Sequence, residues 1–219
     1  MKKELGYLLA GIDESNHISE YANHAEIVTA VFSPEALDGT YRAYSKSRDE
    51  ERISELKEWM QSKEAERDYR FAVLTNMEVR RFQPIAAIVT VPLIKAYLES
   101  QRQAQITPPE NLRLFVDGLL SAEHRDYITK TLLEDFETVM VRNIIKRDRI
   151  AAQRRKGRKL VGPDVIKMAD ILAYQLYNGY ESNGQILSPG QLFNHPKRVI
   201  LNEETLLELI KEERRKKTS

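Results

Sequence analysis

Four acidic residues stand where acids are costly. In "LLAGIDESNHISE", residues 8–20, an apolar run ends abruptly in Asp13 and Glu14. "LFVDG" closes a second apolar run with Asp117, and "KMADILAY" carries Asp170 inside a largely apolar segment. Carboxylates gathered at one place repel unless a cation neutralises them, and hard oxygen ligands favour Mg2+ or Mn2+. Two such ions about 3.5–4 Å apart can activate a water and stabilise the leaving oxygen of a phosphodiester. Each acid also has a plainer reading. Asp13 and Glu14 can end a strand in a turn, and Asp117 can belong to an Asp-Gly turn. Asp170 can be a helix acid facing solvent beside Lys167 or Tyr174. Neighbouring strand residues point to opposite faces, so Asp13 is the stronger ligand candidate and Glu14 an assisting one.

Charge supplies a second clue. The net charge of +1 conceals a segment, 142–159, with nine Lys or Arg and one Asp, hence +8, which leaves −7 for the remainder. Such polarisation points to an anionic partner. Lys146, Arg147, Arg154, Arg155, Lys156, Arg158 and Lys159 are candidates to grip a nucleic-acid backbone. Lys167, one turn before Asp170, is a further phosphate candidate. The plain alternative for the run is a solvated charged segment.

Several other chemistries are excluded. Without cysteine there is no disulfide, no thiolate metal site and no thiol nucleophile, which fits a reducing, cytoplasmic setting. His17, His24, His124 and His195 lack metal-motif spacing. Ser15 has no nucleophile-elbow context, and there is no glycine-rich phosphate loop. The N-terminus reads as a strand rather than a signal peptide, and "PIAAIVTVPLI" is far short of the ~20 residues that span a bilayer.

The elements that must position the acids follow from periodicity. Strand-like stretches fall at 6–13, 26–32, 69–75, 112–118 and 138–144. Helical patterns fall at 77–103, with Pro84 and Pro92 marking a start or bend, at 121–136 behind a Ser121 cap, and at 162–180. Ile53, Leu56 and Met60 mark a partly exposed helix within 38–68, an insertion between the second and third strands. A basic amphipathic helix closes the chain over 203–219. These elements make one mixed α/β domain, residues 1–219. A right-handed crossover would set strand 112–118 parallel to 6–13, bringing Asp13 and Asp117 to the carboxyl end of the sheet where ligands gather.

"GIDES", "LFVDG" and "MADILAY", in that order and on those element types, resemble the ribonuclease H-like nuclease superfamily. "GIDE" is similar to the first motif of type 2 ribonucleases H, and "DES" with "ADILAY" is closer to another branch of the superfamily. Archaeal single-strand DNA exonucleases of this fold are also similar. The resemblance covers element order over residues 6–180. It implies a five-stranded mixed sheet flanked by helices, with Asp13, Asp117 and Asp170 as metal ligands and Glu14 as the second acid of the pair. It further implies a nuclease using Mg2+ or Mn2+. There are departures. Ser15, Asn16 and His17 replace a glycine-rich continuation, a tyrosine element for reading a ribose junction is not found, and the 38–64 helix separates strands that compact members join by a hairpin. Single-stranded DNA, cut as a 3′→5′ exonuclease, is therefore the expected substrate. A non-catalytic nucleic-acid-binding module, an endonuclease on RNA-containing duplexes and an assembly subunit, including a homo-oligomer, are the alternatives.

Overall fold

The computed structural model describes residues 6–15, 25–33, 54, 68–80, 85–117, 120–144, 164–180 and 187–218. The strands are β1 (Tyr7–Ser15), β2 (Glu26–Ser33), β3 (Asp68–Leu74), β4 (Asn111–Asp117) and β5 (Thr138–Ile144). The helices are α1 (Met77–Arg80), α2 (Ile85–Gln103), α3 (Ala122–Leu132), α4 (Asp164–Tyr180), α5 (Pro189–Phe193) and α6 (Glu203–Thr218). The insertion expected over 38–68 lies outside the described residues, apart from helical Ser54 and Asp68 in β3.

The five strands form one mixed sheet in the order β3-β2-β1-β4-β5. β1 runs antiparallel to β2, and β2 antiparallel to β3, whereas β4 lies parallel to both β1 and β5. The expected pairing of the first and fourth strands is thus present. β1 is central and buried on both faces, which is why its sequence is nearly continuous in apolar residues rather than alternating.

Alternation divides the core in two. Leu8, Ala10 and Ile12 join Val28, Ala30, Leu112 and Leu114 in a cluster under α2 and α3, with Leu206 and Ile210 of α6. Leu9, Ile27, Val31, Phe71 and Phe115 face the other way and pack against α4. Within the helical pattern at 77–103 lie α1 and α2; α2 begins at Ile85, directly after Pro84, and Pro92 sits inside it without ending it. The Ser121 cap is as expected, its side chain accepting a hydrogen bond from the His124 amide. Short α5, closed by a Ser188–Gln191 capping box, was not evident from periodicity because it offers a single buried residue, Leu192.

The outer edge of β3 is covered by the chain itself. The Phe71 amide donates to Lys197 O (3.3 Å), and the Val199 amide donates to Phe71 O (2.7 Å). His195 anchors this strap. Its Nδ1 accepts from the Lys197 amide (3.2 Å), and its Nε2 stands 3.2 Å from the Tyr69 hydroxyl. With Nδ1 as acceptor, the neutral ring carries its proton on Nε2. Beneath it, Asp68 takes both Arg70 and Lys197 at 2.6 Å.

Burial, then Lys197, then Arg70 push the His195 pKa below its ordinary 6.5. A lowered folded value means that the unfolded chain binds the proton more readily. The strap's contribution is therefore complete above about 6.5 and is lost as pH falls below it. Thermal denaturation across that range should show this slope in the wild type and a flatter one in His195→Gln.

Candidate active site

Asp13 and Asp117 are brought together by strand register. Gly11 pairs with Phe115 and Ile12 with Val116, so the next pair in the parallel ladder is Asp13 beside Asp117. Both belong to the face occupied by Leu9 and Phe115, against which α4 packs. Glu14 faces the other way, for it pairs with Val28, a member of the opposite core. The strand continues to Ser15.

Asp170 arrives from above the sheet. A Cβ on Gly11 would lie 2.4 Å from Val165 C and 2.6 Å from Ile166 N, so the backbone of α4 rests directly on that of β1. One turn later the Thr29 hydroxyl lies 2.9 Å from Ala169 O, the acceptor of its hydrogen bond, and 3.3 Å from Asp13 O. Thr29 is also the cross-strand partner of Asp13. Four helical residues rise about 6 Å and two strand residues about 6.6 Å, so α4 and β1 advance in step. The helix that starts over Gly11 accordingly presents Asp170 at the level of Asp13. Gly11 and Thr29 were not singled out in the sequence. Their signals were a glycine inside an apolar strand, which marks a close backbone approach, and a hydroxyl within the apolar run "EIVTAVF".

Asp13 is 6% exposed, and its Oδ2 has no hydrogen-bond partner among the described residues. Its carboxyl pKa is raised well above the ordinary 3.8, chiefly by burial, then by Asp117, Asp170 and Glu14. The Glu14 amide, donating to Asp13 Oδ1 at 2.8 Å, works in the opposite direction. Asp117 and Asp170 are thus within electrostatic reach of Asp13, and both are partly exposed. Among the described residues no three His, Asp or Glu side chains form a ready-made ion cage. The donor set nevertheless suits a hard divalent cation: it is all carboxylate oxygen, and one buried oxygen lacks a donor.

Lys146, Arg147, Arg154, Arg155, Lys156, Arg158 and Lys159 lie outside the described residues, as do His17 and His24. Lys167 belongs to α4, one turn before Asp170. Of the other histidines, His124 is buried on α3 and His195 serves the β3 strap, so neither joins the acids.

Strand order, strand directions and a helix laid over the central strand define a mixed five-stranded α/β fold flanked by helices, the architecture the motif resemblance implies. No protein-family model matches the chain, and no curated protein matches it in sequence. Among solved structures it is similar to the ribonuclease H2 from Pyrococcus horikoshii OT3 at 14% identity and a TM-score of 0.39, over 87% of this chain and 82% of that one. No helix among the described residues is long and apolar enough to cross a membrane.

Two outcomes follow from this geometry. Gly11→Ala forces α4 off β1 and should cost on the order of 1–3 kcal/mol in urea denaturation. For Asp13, the folded state holds the proton more tightly than the unfolded state, so its ionisation opposes folding as pH rises above 3.8. In EDTA, Asp13→Asn should therefore raise the melting temperature at neutral pH and bring no gain below 3.8.

Proposed function

We propose that the chain is a divalent-metal-dependent nuclease. The observation that carries this reading is Asp13: a buried carboxylate with an unpartnered oxygen, set against two further acids at the carboxyl end of parallel strands. Such a group is costly to keep ionised without a cation, and its ionised form is the one that binds metal. Asp13, Asp117 and Asp170 would hold Mg2+ or Mn2+, which when bound supplies Lewis acidity and lowers the pKa of water. The protein's own part is positional. β1 and β4 fix two carboxylates by register, and α4 sets the third through Gly11 and Thr29. Glu14, on the other face of β1, adds negative potential next to Asp13 and donates its amide to it, an assisting role.

Single-stranded DNA is the proposed substrate, removed from a 3′ end. The substrate follows from the missing ribose-reading element in the sequence, and the polarity rests on the resemblance to archaeal exonucleases alone. Lys146, Arg147, Arg154, Arg155, Lys156, Arg158, Lys159 and Lys167 would hold its backbone.

The test is cleavage of end-labelled single strands, duplex DNA and RNA–DNA hybrids with Mg2+, with Mn2+ and with EDTA. Wild type should cut only with metal and prefer the single strand. Loss of an outer partner of a metal ligand already costs 10–100-fold, so Asp13→Asn and Asp170→Asn should each lose at least roughly a hundredfold. Both should still bind the strand. Full activity in Asp170→Asn would remove that residue from the mechanism. A wild type that binds strands but cuts none with either metal would instead be a binding module of the same fold.

A further inference from the structure

Among the described residues, α4 packs over β1 and β2, meets β4 in few places and is not set over β5. Phe115 of β4 belongs to the α4 core, so Arg113, two residues earlier, shares its face. Arg113 pairs with Met140 and Phe115 with Arg142. Arg113 and Arg142 are exposed, and Met140 is 40% exposed although it sits on a regular strand. The Arg113 guanidinium lies over the Tyr7 ring, 3.8 Å from its centroid. Among the described residues, a strip of two arginines, an aromatic ring and a methionine thus runs along this face of the sheet towards Asp117.

We propose that this strip is the bed on which a single nucleic-acid strand lies as it enters the site. The inference rests on the nuclease reading for its direction, and on charge and spacing for its substance. Two strand residues advance about 6.6 Å. Arg142, at the level of Phe115, is therefore one such step from Asp117, and Arg113 is two. That interval is on the order of the separation between successive phosphates, so each arginine can meet one phosphate outward from the acids. The guanidinium lying over Tyr7 offers a platform for a base, whose π-face suits any sequence. The bed is short. Exposed Glu110 and Glu137, joined through the Glu137 amide and Glu110 O at 2.7 Å, lie at its far end and would repel a third phosphate.

Fluorescence anisotropy with labelled oligothymidylate, in EDTA so that nothing is cut, tests the bed apart from the chemistry. Arg113→Glu and Arg142→Glu should each weaken binding at least about tenfold, and the Gln versions should weaken it less, in the same order. Lys130→Glu, on α3 at the opposite face, should bind as wild type does. Each single-strand phosphate contact contributes about 0.7 to the slope of log affinity against log salt, so losing both arginines should flatten it by about 1.4. Unchanged affinity and slope in both reversals, or no binding by wild type, overturns the proposal. If the reversals lose binding while wild type cuts nothing with either metal, the bed stands and the nuclease reading falls. If wild type cuts and the reversals bind normally, the bed falls and the nuclease reading stands.

Discussion

The contact on which the rest depends is the seating of α4 on β1 at Gly11. Helices normally stand off a sheet by the depth of their side chains, and here that depth is reduced to backbone against backbone. The closeness lets a strand hydroxyl, Thr29, reach a helix carbonyl directly. It also fixes the height at which Asp170 meets the sheet. With a wider gap, the third acid would sit in solvent and feel little from Asp13. Packing of an apolar helix on an apolar strand thus becomes a way of setting distances between charges.

Those charges oppose the fold that assembles them. Burial and three acidic neighbours all act against ionised Asp13, and the Glu14 amide works in the other direction. Natural folds keep such arrangements where a ligand later relieves them, and strained electrostatics of this type concentrates at functional sites. The surrounding core has the means to bear it: β1 and β2 are buried along nearly their whole length, and both sheet faces are covered at that point.

Much of this was legible in the sequence. Strand 138–144 was placed to the residue, and the others within about two, because β-branched runs bounded by turns leave little choice. The parallel partnership of the first and fourth strands followed from crossover handedness, and it brought Asp13 and Asp117 to one end. Asp170 stood out as an acid in an apolar helix. What the sequence did not disclose was how α4 is held. Gly11 and Thr29 act through shape and a single long-range hydrogen bond, and neither leaves a periodic trace. Arg113 stands alone in its strand and Arg142 was read only as the start of the basic run; the register is what sets both on the face that leads to Asp117.

The strap over β3 joins residues 126 positions apart at Tyr69 and His195. Contacts of that separation form late, after the intervening chain has closed a long loop. During synthesis from the N-terminus, β1, β2 and β3 emerge well before residues 195–199 exist to shield them. A nascent chain therefore carries a bare sheet margin for most of its production, a template for unwanted strand addition. The ion cluster at Asp68, Arg70 and Lys197 places charge at that margin, and Asp68 and Arg70 are there from the start. Polar residues that look merely structural in the finished molecule thus keep charge on the β3 margin before residues 195–199 are there to cover it.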